Sequence, residues 1–303
     1  MNIFITGGTG FIGSELTKNL IAHGHHVTAL TRSDASAAVA TANGAIPVMG
    51  DITSLDLISQ QATQADAIIH LAFDLRFPKP GTPFEDTPSG QDQAFIKTVG
   101  DALSGTPKPF VITSALGQLP ADPMPTEKTA AVLDDPAFAR SDRSASERLA
   151  LDYAAKGVTT CIVRPAPTVH GETAHGFAAE LEHLAVENKS AAYIAGKHWA
   201  SVHVADIADL YRLAVEKGLP GHVYHGIGEQ SLAIKDIAAL IGQENQLPVK
   251  ESSVADAPAT FGWLSPFVSR DIWGSSSLTQ QELDWTPQGI GLLQAIKNGH
   301  PES

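Results

Sequence analysis

The chain is poor in cysteine. Its 303 residues contain one, Cys161, inside the apolar run Thr160-Cys161-Ile162-Val163. No disulfide can form within the chain, and the thiol reads as a core side chain. Tyrosine is scarce as well: Tyr153, Tyr193, Tyr211 and Tyr224 are the whole supply, so every phenol available for acid–base chemistry can be inspected in turn. Positive charge is in deficit. A net charge of −13 disfavours a phosphate-coated partner, and no nucleic acid is expected. No apolar run approaches membrane-spanning length, and no charged segment leads into an apolar stretch near Met1. The expectation is a cytoplasmic protein with no membrane partner. Internal repeats are missing. What the chain has is 43% hydrophobic residues against 17% charged, enough for a full core in two domains or one large α/β unit.

Against that background one stretch stands out: Thr6-Gly7-Gly8-Thr9-Gly10-Phe11-Ile12-Gly13. It follows the apolar Asn2-Ile3-Phe4-Ile5, which predicts a strand. It precedes a helix in which Ile12, Leu16 and Leu20 recur at helical spacing. Glycines where a strand hands over to a helix suit a dinucleotide pyrophosphate. Gly7 permits the tight turn, Gly10 clears the approach to the phosphates, and Gly13 lets the helix pack on the strand. The N–H groups that open the helix, around Thr9, Phe11 and Ile12, then face the anion.

The strand pattern continues at His26–Thr31, Ile46–Met49, Ala67–Ala72, Pro109–Thr113 and Thr160–Pro165, with helices between. This alternation predicts a Rossmann-type doubly wound parallel sheet over 1–165. A smaller C-terminal α+β lobe would cover it over 166–303, with some elements returning to the first domain. In the second half, helices are expected near 177–188, 206–217, 234–241, 278–284 and 289–298, and short strands near 192–195 and 222–227. Strand two ends at Arg32-Ser33 where an acidic residue would hold an NAD ribose. The arginine favours a 2′-phosphate, so NADP is expected, with NAD as the alternative. Asp51 and Ile52 follow strand three, beside the adenine position, although Asp51 is also a natural helix cap. Leu71, Ala72 and Phe73 should pass beneath the cofactor at the carboxyl end of strand four. The proline-rich segments 76–89 and 117–138 read as loops, the second as a lid or substrate loop.

These features together resemble the short-chain dehydrogenase/reductase superfamily, in its extended, epimerase/dehydratase-type form. The resemblance rests on Gly7, Gly10, Gly13, Asp51, Leu71-Ala72, Ser146-Glu147, Arg164-Pro165, Val169-His170-Gly171, Val202–Asp206 and Glu282–Pro287. It implies that Pro165 supports the nicotinamide end of the cofactor. It also implies a tyrosine as general acid/base, a lysine four residues later to lower its pKa, and a serine or threonine after strand five. Counting back from Ser146-Glu147, the lysine position holds Arg143 and the tyrosine position Ala139, while the serine position holds Ala115 with Ser114 beside it. The chain is thus similar to atypical members that keep the cofactor motif and lose the catalytic set.

The candidates for chemistry that remain are Ser114, Arg143 and His170. Ser114 brings a hydroxyl to the end of strand five. Arg143 is a fixed cation for ribose or phosphate, and His170 can exchange protons near neutral pH. The twelve histidines have no metal-ligand spacing, and no metal is expected. Two readings follow. One is an NADP-dependent oxidoreductase acting on a small carbonyl or hydroxyl substrate, as a monomer or homodimer. The other is a non-catalytic NADP-binding sensor.

Overall fold

Short runs that are apolar on both sides form the centre of the molecule, because a strand buried on both faces needs no polar alternation. The computed structural model describes residues 1–74, 78–79, 81–133 and 143–299. Its first half runs β1 (Asn2–Thr6), α1 (Phe11–Ala22), β2 (His26–Thr31), α2 (Asp34–Ala42), β3 (Ile46–Met49), α3 (Leu55–Gln64), β4 (Ala67–His70), α4 (Pro88–Leu103), β5 (Phe110–Thr113), α5 (Ser144–Ala155) and β6 (Thr160–Pro165). The second half continues with β7 (Thr168–His170), α6 (Gly176–Glu187), β8 (Ala191–Tyr193), β9 (His198–His203), α7 (Val204–Lys217), β10 (Val223–Gly226), β11 (Glu229–Ala233), α8 (Ile234–Glu244), β12 (Val249–Glu251), α9 (Ala257–Phe261), α10 (Ser265–Val268), α11 (Ser277–Leu283) and α12 (Leu292–Asn298).

The main sheet has seven strands in the order β10-β6-β5-β4-β1-β2-β3, every pair parallel. The chain moves outward from β1 to β3, then crosses back to β4 on the other side of β1. The crevice outside the carboxyl ends of β1 and β4 is therefore the topological switch point, where open α/β sheets bind ligands. Helices α1 and α7 cover one face, packing Leu16, Leu20, Ile207 and Tyr211 against Ile3, Ile5 and Val111. The other face is closed by α3, α4 and α5 through Ile58, Phe95, Val99 and Ala150 against Phe4, Ile68 and Phe110.

The second half threads back into this sheet: α7 lies along one face and β10 forms its edge beside β6. The expected helices and the strands near 192–195 and 222–227 are present. Strands β7, β9, β11 and β12 and helices α9 and α10 lie outside the sequence expectation. Strands β11, β9 and β7 make a small separate sheet, and β12 pairs with β8. In β7 and β9 the pattern is hidden because buried positions carry polar side chains, and β11 and β12 bury no residue fully. Thr168 is fully buried, and its hydroxyl donates to Ala200 O at 2.6 Å. Ser201 is likewise buried and donates to Glu229 at 2.5 Å.

Candidate active site

The glycine turn joins β1 to α1 at the switch point. Gly7 has φ +72°, and a Cβ there would meet Ala72 N at 2.8 Å. The turn therefore lies directly on the chain leaving β4. A Cβ at Gly13 would fall 2.0 Å from Gly7 O, so α1 approaches β1 as closely as backbone allows. Gly10 differs. A Cβ there meets only Gly7 O, at 3.4 Å, among the described residues. Gly10 is also the N-cap of α1 and carries no side-chain cap, so the amides that open the helix have room in front of them. Such a cradle, backbone-lined and positive from the helix dipole, fits a pyrophosphate.

Beneath the turn is a buried polar chain that begins one residue before it. Thr6 Oγ1 lies 2.6 Å from His70 Nδ1 and accepts from Ala72 N at 3.3 Å. His70 Nε2 lies 2.9 Å from Asp92 Oδ1, with both side chains fully buried. Burial alone would raise the Asp92 carboxyl, but the hydrogen bond and charge of His70, the Arg143 charge and Ser146 outweigh it, and its pKa is lowered. Asp92 is then an anion that accepts from His70 Nε2–H, and His70 Nδ1 shares a hydrogen bond with the Thr6 hydroxyl. The imidazole stacks on Phe95 at 3.9 Å. This network fixes the ends of β1 and β4 together.

Arg143 stands immediately before α5 and reaches across the end of β5. Its Nη2 donates to Thr113 O, and its guanidinium lies 4.2 Å over the Phe73 ring. Burial lowers its pKa, opposed by the charges of Asp92, Tyr211 and Glu147, and a guanidinium stays cationic at neutral pH. Thr113 Oγ1 donates to His70 O at 2.8 Å and meets the Tyr211 hydroxyl at 2.7 Å. Burial pushes the Tyr211 phenol well above its ordinary value. Ser114 follows directly. It is 3% exposed, its N–H donates to Val163 O at 2.8 Å, and its hydroxyl has no partner among the described residues. The ends of β4 and β5 and the start of α5 thus bring Phe73 and Arg143 together beside the glycine turn, and Ser114 follows the Thr113 carbonyl that Arg143 holds.

The profile of the NAD dependent epimerase/dehydratase family matches residues 3–225. The chain belongs to that family. An uncharacterized protein of Saccharomyces cerevisiae is 38% identical over 301 residues, spanning 98% of each chain. A ketoreductase of Stigmatella aurantiaca, named for 4-hydroxy-2-methyl-3-oxo-4-farnesyl-3,4-dihydroquinoline-1-oxide, is 26% identical over 238 residues, 74% of this chain and 67% of its own. Among solved structures, UDP-glucuronic acid 4-epimerase from Bacillus cereus, in complex with UDP-glucuronic acid and NAD, matches with a TM-score of 0.76. It is 16% identical and covers 99% of this chain and 98% of its own.

Within this epimerase/dehydratase member, motifs distant in sequence meet. Glu147 and Arg164 form a buried ion pair, Arg164 Nε donating to Glu147 Oε2 at 2.9 Å. Trp285 Nε1 donates to Asp206 O at 2.9 Å, and the Asp206 carboxylate accepts from the N–H groups of Gln288 and Gly289, both at 2.9 Å. Pro165 ends β6, opposite Gly226. Ala139, the tyrosine position, lies outside the described residues.

Arg32 is exposed at the end of β2. Its neighbour Ser33 is spent on the N-cap of α2, in a capping box with Ser36. Asp51 Oδ1 accepts from Thr53 N at 2.8 Å and from Thr53 Oγ1 at 2.5 Å, turning the chain into α3. The structure does not bring His170 to Ser114. It is 1% exposed on β7, its Nδ1 donates to Gly171 O at 3.0 Å, and its ring meets His203 edge-on at 5.5 Å. Burial lowers its pKa. Tyr153 packs against Gly100 of α4 and donates to Asp101 Oδ1 at 2.5 Å. Tyr211 by contrast reaches the end of β5, where its hydroxyl meets that of Thr113. Its approach to β5 comes from α7, far along the chain. His70, embedded in the apolar run of β4, carried the only readable hint of the polar chain: one titratable residue in a strand buried on both faces.

Proposed function

We propose that this protein is an NADP-dependent oxidoreductase that acts on a small carbonyl or hydroxyl substrate without the tyrosine–lysine pair. The observation that carries the reading is the meeting of an open glycine cradle with Arg143 and the unpartnered, buried hydroxyl of Ser114 at one end of the sheet. The ketoreductase relative supports a carbonyl substrate. The epimerase held with NAD supports a nicotinamide dinucleotide in the switch-point crevice, and Arg32 at the end of β2 supports the 2′-phosphate form.

In this reading Gly7, Thr9, Gly10, Phe11, Ile12 and Gly13 cradle the pyrophosphate, and Arg32 holds the 2′-phosphate. Asp51 and Ile52 border the adenine, and Leu71, Ala72, Phe73 and Pro165 line the path to the nicotinamide. When bound, the nicotinamide supplies or accepts hydride. Arg143 sets a positive field at the substrate oxygen and cannot itself take the proton. Ser114 Oγ donates the proton that the oxygen needs in the reductive direction and is reprotonated from solvent. His170, buried in the second sheet, shapes the wall and is not assigned the proton.

The test is NADPH consumption with a panel of carbonyl compounds. Turnover with one class is expected, and Ser114→Ala should lower kcat at least about tenfold, the low end of what a positioned acid contributes, with NADPH affinity kept. Tight NADPH binding with no turnover on any compound would favour a sensor that reports cofactor state to a partner.

A further inference from the structure

Phe11 opens α1, directly after the cradle, and its ring is 37% exposed. It does not point into solvent alone. The imidazole of His175 lies on it with ring centroids 3.7 Å apart and planes 23° from parallel. His175 comes from the second half of the chain, where it precedes α6 as its N-cap. Its side chain makes no capping hydrogen bond, so the ring is engaged with Phe11 and not with its own helix. A methyl built on Gly171 would lie 3.6 Å from Phe11 Cζ, so the strap from Gly171 to His175 passes the Phe11 ring twice. Partial desolvation lowers the His175 pKa, which keeps the ring neutral near pH 7 and the contact one of stacked aromatic faces. Beside the stack is a hollow of about 400 Å³ lined by Thr9, Gly10, Ser14, Glu15, Lys18 and Val204 together with the two rings. This contact of the strap with the glycine turn therefore bears on the residue whose backbone starts the helix.

Resting on the dinucleotide reading above, we infer that His175 is a positioning residue for the cofactor: by stacking on Phe11 it fastens the 171–175 strap over the glycine turn and fixes the amides that receive the pyrophosphate. The contact is between half-exposed rings, so its loss costs the fold little. Its effect is on the turn, which has to hold one geometry when the dinucleotide arrives.

The experiment compares NADPH dissociation constants of the full chain, His175→Ala and His175→Phe by fluorescence titration, with thermal unfolding and far-UV circular dichroism on each. His175→Ala should bind NADPH about fivefold more weakly, the worth of one aromatic pair, with unchanged unfolding. His175→Phe keeps a flat ring and should restore affinity to within about twofold of the original. A purely structural role would move unfolding and would give no such rescue. The inference is overturned if His175→Ala binds as the original does, or if His175→Phe is as weak as His175→Ala. Should the unsubstituted chain bind neither NADPH nor NADH, the dinucleotide reading itself fails, and the inference with it.

Discussion

Gly10 and Gly13 are three residues apart and face opposite demands. The position of a Gly13 side chain is already filled by Gly7 O, while that of Gly10 is open. Gly13→Ala should therefore strain the folded chain, by about 1–3 kcal/mol as overpacked sites do, and lose NADPH binding through a displaced helix. Gly10→Ala should leave the unfolding midpoint unchanged and still weaken NADPH at least about tenfold, because the methyl stands where the phosphates approach. Thermal melts and NADPH titrations on the two variants separate these effects; normal affinity in Gly10→Ala would move the phosphate site off this face. The tight turn at Gly7 and the close packing at Gly13 were legible because spacing between a strand and a helix implies them. The local hydrogen bonding of Asp51 and the capping of α2 by Ser33 were only half legible, since a residue at a strand end can serve the backbone and a ligand alike.

At the scale of elements, α5 is locked to β6 by Glu147 and Arg164. Arg164 also donates to Thr129 O at 2.9 Å, so the pair ties the segment after β5 to the sheet. Removing one partner strands the other charge in the interior. Glu147→Ala should cost about 3–5 kcal/mol, read as a fall in the urea midpoint. A loss below about 1 kcal/mol would mean that water reaches the pair, as at a surface bridge. The six strands of the first half could be read from sequence as short, mostly apolar runs, β4 and β5 buried on both faces and β2 alternating through His26 and Thr28, and the helices between them because their apolar stripes are regular. The small sheet could not. In β9 the sequence His198-Trp199-Ala200-Ser201-Val202-His203 alternates only loosely. Its buried Trp199 spends its N–H on Phe267 O at 3.1 Å, a partner that no local pattern reveals.

For the whole molecule, the edge of the main sheet carries a pH dependence. His225 on β10 is buried; its Nδ1 donates to Ser275 O at 2.8 Å, and its Nε2 faces Arg164 Nη1 at 3.2 Å. Burial first, and then the Arg164 charge, lower its pKa to about 3. The unfolded chain takes up this proton near pH ~6.5 and the folded chain does not. Stability is therefore full above pH ~6.5 and falls as pH drops toward the folded value, by up to ~1.4 kcal/mol per unit. His170, lowered by burial, acts with the same sign. Urea unfolding should show a loss of about 2 kcal/mol between pH ~6.5 and pH ~5, with a shallower slope in His225→Gln. A flat profile would place His225 in contact with water.

The fold and the family landmarks followed from one sequence because strand, glycine turn and helix are local patterns. The floor of the site did not, since Thr6, His70, Asp92, Arg143 and Tyr211 come from five separate elements. The crevice above that floor is the proposed NADP site. The most direct test is a calorimetric titration of the purified chain and of Arg32→Ala with NADPH and NADH. Saturable binding is predicted, with NADPH tighter than NADH in the unsubstituted chain and the difference lost in Arg32→Ala. Failure to bind either dinucleotide would contradict the account, and equal affinity for both in the unsubstituted chain would contradict the role given to Arg32.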